Sequence, residues 1–197
     1  MNLLAIGCLL LSVAAQRGDA RKLVQDALAE KDPAKAIALY TRAIEADPKL
    51  EIAFVKRGSL LQDEKRFAEA LPDFSRAIEL GVRTEWVYAS RAFCRLNTGD
   101  PRGAIDDFTT GIKIGPELGM DYYHRHRAKQ MLGDEAGAAA DLAKAIAINP
   151  EVADAAREAG EVDLEDRKRL RLRIGIVGLC CVGVGLVFLR SMGRKRY

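Results

Sequence analysis

The sequence predicts an all-α helical repeat, and three observations carry that expectation. The stretch from Gly99-Asp100-Pro101 to Pro116 ends one helix, begins another, and places Ala104, Phe108 and Gly111 on a single helical face. Related versions of this stretch recur every 34 residues over most of the 197-residue chain. Alanine, leucine, arginine, glutamate and lysine are frequent, and runs of β-branched residues are scarce outside the C-terminal end, which favours helices.

Composition narrows the class further. A hydrophobic share of 49% and a charged share of 30% suit a folded protein rather than a disordered one. The formal charge of +3 hides an uneven distribution, because residues 17–152 hold 21 Lys+Arg against 22 Asp+Glu and are near neutral. The basic excess sits in Arg167, Lys168, Arg169, Arg171 and Arg173 and again in Arg190, Arg194, Lys195 and Arg196, on either side of an apolar run. That pattern points to anionic lipid head groups. No aromatic residues interleave with these cations to form a stacking platform, so no nucleic-acid partner is expected. Of the four cysteines, Cys8, Cys180 and Cys181 lie in apolar runs and only Cys94 lies in the polar block, which excludes a disulfide framework there.

Taken in order, residues 1–15 open with an apolar run (3–15) too short to span a bilayer and of the length of a secretory signal core. Val13 and Ala15 supply the small residues a signal peptidase reads, with cleavage before Gln16. Only Met1-Asn2 precedes the run, with no Lys or Arg, so a first helix docked on the repeats is the alternative. Residues 16–152 then hold four blocks of 34 without a gap: 17–50, 51–84, 85–118 and 119–152. Their twentieth position reads Ala36, Ala70, Ala104, Ala138, and the twenty-fourth Tyr40, Phe74, Phe108, Leu142. The twenty-seventh reads Ala43, Ala77, Gly111, Ala145, and the thirty-second Pro48, Val82, Pro116, Pro150.

On these positions the chain resembles the tetratricopeptide repeat (TPR) family over about two-thirds of its length. Each position has a physical reason. Small residues at twenty and twenty-seven let two helices of a hairpin approach closely, and the large residue between them fills the gap. Gly99 can end a helix with positive φ, Asp100 can cap the next, and Pro101 sits where its missing N–H costs nothing. Gly133-Asp134-Glu135 repeats the device, and Asp32-Pro33 keeps half of it. Lys65-Arg66-Phe67 lacks it, so that turn is expected to be the least sharply specified. Pro72 stands early in the second helix of its repeat, harmless in the first turn and costing about 3 kcal/mol if deeper. Position seven reads Leu23, Arg57, Arg91, Arg125, where an arginine is expected to lay its stem along the hairpin and keep its head in water. Position eight, usually Gly in the family, is Val24, Gly58, Ala92 and His126.

Residues 153–173 read as a capping helix with a basic end, residues 174–189 as one transmembrane helix, and 190–197 as a short basic tail. The span of 16 uncharged residues is about 24 Å, short of a core of about 30 Å but within what snorkelling arginines and bilayer thinning absorb. Its glycines, among them Gly175 and Gly183, offer small faces for helix contact, or none is used.

No catalytic, cofactor or metal constellation emerges. His124 and His126 are two apart on a helix and do not face each other; Asp106-Asp107 reads as a solvated face; no phosphate loop, nucleophile elbow or Cys-x-x-Cys occurs. What the resemblance implies instead is a groove lined by the first helix of each hairpin, which takes an extended or helical peptide. Positions two, five, nine and twelve face it: Trp86, Ala89, Phe93 and Leu96, then Met120, Tyr123, Arg127 and Gln130. The family's carboxylate clamp is only loosely imitated by Arg21, Gln25 and Lys56, with Trp86 and Ser90 where further basic residues belong. The expected function is a non-catalytic, membrane-anchored scaffold for a protein or peptide partner. The repeats stand on the exported side or, as in a tail-anchored adaptor similar in outline to the mitochondrial fission adaptor, in the cytosol. An accessory subunit of an envelope enzyme or secretion complex is the third reading.

Overall fold

The computed structural model describes residues 17–117 and 119–158, and every described element is a helix. The expected signal (1–15), the rest of the capping helix, the membrane span (174–189) and the tail (190–197) lie outside the described residues. Among the described residues no helix is long and apolar enough to cross a membrane. The first helix, α1, covers residues 17–29. It is followed by α2 (Pro33–Ala46), α3 (Glu51–Asp63), α4 (Phe67–Glu79), α5 (Glu85–Asn97), α6 (Pro101–Ile114), α7 (Gly119–Met131) and α8 (Glu135–Ile148). The chain divides into compact units Met1–Asn149 and Pro150–Tyr197, and the second contributes one short described helix, α9 (Val152–Glu158).

Within the first unit the helices pair as hairpins, α3 with α4, α5 with α6 and α7 with α8. Each hairpin also packs on the next through α2 with α3, α4 with α5 and α6 with α7, and the first helices touch in sequence, α3 with α5 and α5 with α7. The repeat positions explain this packing. Ala36, Ala70, Ala104 and Ala138 are at most 2% exposed, and Phe74 and Phe108 are fully buried. Small side chains bring the two helices together and the ring fills the space between them. At Gly58 an added Cβ would stand 3.2 Å from the Phe74 ring, so the large residue at twenty-four and the small one at eight are one fitted pair. In the fourth repeat position eight is the larger His126 and position twenty-four the smaller Leu142; both are buried, and the His126 ring Nδ1 lies 2.9 Å from the Ala138 carbonyl.

The turn that lacks glycine adopts the same geometry as those that have it. Lys65 has φ 59°, matching Gly99 at 86° and Gly133 at 76°. The Arg66 amide donates to the Leu61 carbonyl at 2.8 Å, as Asp100 does to Arg95 at 2.8 Å and Asp134 to Lys129 at 3.0 Å. All three are the six-to-one bond of a helix end closed by a left-handed residue. The expected loss of definition at this turn is therefore absent, because backbone bonding and hairpin packing impose the turn on a lysine. A non-glycine residue pays for that conformation, and Lys65→Gly is expected to raise stability by about 1 kcal/mol, read as a shift in denaturant midpoint at unchanged slope. The caps differ too: Asp32, Asp100 and Asp134 accept from the amides of Ala34, Gly103 and Gly137 at 2.9 Å, while Arg66 caps nothing and pairs with Glu69.

Pro72 is the sixth residue of α4, past the first turn, and the helix runs through it. It has no N–H for the Ala68 carbonyl, and the same exposed position is Ala38 and Ala140 in other repeats. Pro72→Ala is expected to stabilise the chain by about 2–3 kcal/mol, measured by urea unfolding.

Candidate functional site

Three buried ion pairs set the position of the first helices. Arg57 donates to both carboxylate oxygens of Asp73 at 2.8 and 2.7 Å, Arg91 to Asp107 at 2.8 and 2.6 Å, and Arg125 to Asp141 at 2.8 and 2.7 Å. Each joins position seven of a first helix to position twenty-three of its own second helix. The three aspartates are 2%, 3% and 5% exposed. Arg57 also donates to the Thr41 hydroxyl and Arg125 to the Thr109 hydroxyl, both at 3.0 Å, so these arginines bond to the preceding repeat as well.

In the last two repeats position eleven adds a second cation. Arg95 reaches Asp107 at 2.9 Å and the Gly103 carbonyl at 3.0 Å, and Lys129 reaches Asp141 at 2.8 Å and the Gly137 carbonyl at 3.3 Å. Burial, which would raise the Asp141 carboxyl, is overcome by the hydrogen bonds from Arg125 and Lys129, and its pKa is lowered. The hydrogen bond to the paired aspartate raises Arg57 and Arg91 further. The expectation of a wet arginine head at position seven, and of a solvated Asp107, is corrected: only Asp106 of that pair is exposed. In the first repeat both members are apolar, Leu23 and Leu39, and both pack on one hydrophobic cluster.

With the first helices so fixed, one apolar side chain stands out at the same register on three that touch in sequence. Ile52 on α3 is 38% exposed, Trp86 on α5 41% and Met120 on α7 43%. All three are position two of their repeats. Beside them, positions six and nine of these helices carry Lys56, Ser59, Ser90, Phe93, His124 and Arg127, with no carboxylate. Burial, then the charge of Arg127, pulls His124 down to about 4, so this histidine is neutral near neutral pH.

The eight groove residues separate into three sets. Trp86, Met120, Arg127 and Gln130 are exposed. Ala89 and Phe93 are half-buried: Ala89 packs on the third-repeat core, and Phe93 meets the Phe67 and His124 rings edge-on at 5.7 and 5.2 Å. Leu96 and Tyr123 are buried, at 8% and 7% exposure, and present almost no area. Leu96 lies in one cluster with Ala128 of the next first helix, so position twelve faces the seam between hairpins. The third and fourth repeats alone do not reveal Ile52, but carrying position two back one repeat finds it.

Among the described residues no group of His, Cys, Asp or Glu is arranged to hold a metal ion. Cys94 is fully buried and burial pushes its thiol up to about 12, which removes it as a nucleophile. A depression of 280 Å³ lies between residues 65–69 and the end of α5 at Asn97 and Thr98. Arg66 and Glu69 at its edge neutralise each other.

Among solved structures, the chain is similar to MamA protein, with a TM-score of 0.64 at 18% identity over 70% of this chain and 75% of that one. It is also similar to MamA 41-end from Desulfovibrio magneticus RS-1, with a TM-score of 0.62 at 17% identity over 68% of this chain and 77% of that one. A further crystal structure of MamA gives 0.62 at 19% identity, over 69% and 81%. Likeness at this identity carries the fold alone. Together with the 34-residue hairpins it makes the fold tetratricopeptide-like. No family model and no curated protein matches the chain.

Proposed function

We propose that this chain is a non-catalytic scaffold that takes a protein or peptide partner on the face formed by α3, α5 and α7. The observation that carries this reading is the row of Ile52, Trp86 and Met120. Three large apolar side chains exposed at one register on successive helices keep apolar area in water with no gain to the fold. Arg127 and Lys56 beside them supply charge-assisted hydrogen bonds, and Trp with Arg is the composition of an interface hot spot. Truncating the row while leaving the core intact tests the reading: Trp86→Ala with Met120→Ala is expected to abolish recovery of the partner, and full recovery would overturn the proposal.

Within the same proposal, residues 174–189 anchor the scaffold in a membrane, with the flanking Arg and Lys on lipid head groups and residues 1–15 directing export. The sequence supports this through the uncharged run and its basic flanks. Protease treatment of intact cells decides the side: digestion of the repeats supports the exported arrangement, and protection overturns it in favour of a repeat block facing the cytosol.

A further inference from the structure

Asp121 is the third residue of its repeat, a core position filled in the two preceding repeats by Ala53 and Val87, both fully buried. It is itself only 6% exposed, and its Oδ2 has no hydrogen-bond partner among the described residues. A carboxyl group in such a place is costly when ionised and far less so when neutral.

The surroundings are adapted to it. Position twenty-seven is Ala43, Ala77 and Ala145 in the other repeats but Gly111 in the third. A Cβ at Gly111 would stand 3.2 Å from the Glu85 carbonyl, and 3.7 Å from both Asp121 Oδ2 and Tyr88 Cβ. The thinned backbone of α6 therefore admits the start of α5 and the Asp121 carboxyl to the same spot. From α5 the facing groups are the uncharged Tyr88 and the charged Glu85; α6 brings Gly111. On α7 itself Arg125 is held by Asp141, His124 lies among the Phe93, Phe108 and Tyr123 rings, and His126 is turned to the Ala138 carbonyl. Among the described residues no cation is shown against Asp121 that would compensate its ionised form.

We propose that Asp121 is a proton-operated latch between the third and fourth hairpins: as the neutral acid it seats α7 against α6 and the start of α5, and on ionisation it loosens that seat. Burial, and then the Glu85 carboxylate, push Asp121 up to about 6. The folded chain thus keeps this proton to higher pH than the unfolded chain does. Stability falls as pH rises from the ordinary carboxylate range through about 6, and the penalty is fully present above it. Met120 adjoins Asp121, so the latch also governs the last member of the exposed apolar row; that consequence alone rests on the docking reading.

Hydrogen exchange on the full chain at about pH 5 and about pH 7.5, corrected for intrinsic rates, tests the latch without any partner. Protection of α7 and α8 is expected to fall about tenfold or more between the two, against less than about twofold in α3 and α4. Asp121→Asn is expected to hold α7 and α8 protection constant across the same pH range. Equal protection at both pH values in the wild type, or the same fall in Asp121→Asn, overturns the proposal. Glu85→Gln keeps Asp121 and is a second variant: the midpoint of the wild-type change moves to lower pH, and an unmoved midpoint contradicts the latch.

Discussion

Arg57→Leu is expected to cost about 3–5 kcal/mol, read as a drop in denaturant midpoint, because it leaves the Asp73 carboxylate buried with no partner. Asp73→Leu is expected to cost less. The Arg57 side chain is 21% exposed against 3% for Asp73, so the guanidinium can turn to water while the carboxylate cannot. The double variant Arg57→Leu/Asp73→Leu is expected to return to within about 1 kcal/mol of the wild type or to exceed it, since an apolar pair removes the desolvation cost of both ions. The chain already contains this replacement: the first repeat has Leu23 and Leu39 at these positions, packed on its core. A double variant as unstable as Arg57→Leu alone would mean the pair does more than fill and neutralise its site, with the Thr41 bond to the preceding repeat the first suspect.

The second large effect is on binding. Trp86→Ala is expected to weaken a partner held on the first-helix face by at least about 2 kcal/mol, roughly thirtyfold. Combined with Met120→Ala, it is expected to abolish co-purification of the partner. Trp86 is 41% and Met120 43% exposed, so part of each packs on the chain; stability is expected to fall by about 1–2 kcal/mol without unfolding, and helicity is the control. Tyr123→Ala is not the variant to use. At 7% exposure, stacked on His126 with centroids 6.0 Å apart, Tyr123 belongs to the core, and its removal would confuse a lost contact with a cavity.

Much of the fold was legible because the repeat places the same demand on the same position four times. Ala at twenty and Tyr, Phe or Leu at twenty-four are buried in every copy, and α3, α5 and α7 begin 34 residues apart, at Glu51, Glu85 and Gly119. The position-seven arginines were misread for a physical reason. Their partners lie 16 residues away on the facing helix, outside the i, i+4 neighbourhood in which charge pairing shows along one helix. The signal was present in another form: Arg57, Arg91 and Arg125 rise and fall together with Asp73, Asp107 and Asp141, and both members become leucine in the first repeat.

The face was half legible. Helical spacing puts Trp86, Phe93 and Leu96 on one side of α5, but spacing does not tell which part of that side the next hairpin covers. Leu96 turns toward the seam between hairpins and Tyr123 is buried, whereas position two stays open in three repeats. Lys65 shows the converse, where local propensity argued for an ill-defined turn and the packing of the hairpin overrode it.

The proposed docking on the face of α3, α5 and α7 is distinguishable from docking on the second helices. Photocrosslinking in the full-length chain tests it most directly, with a photoreactive side chain placed at position 86, at 120, or at 144 on the exposed side of α8. The expected result is one common adduct from 86 and 120 and none from 144. An adduct from 144 with none from 86 or 120 would contradict it.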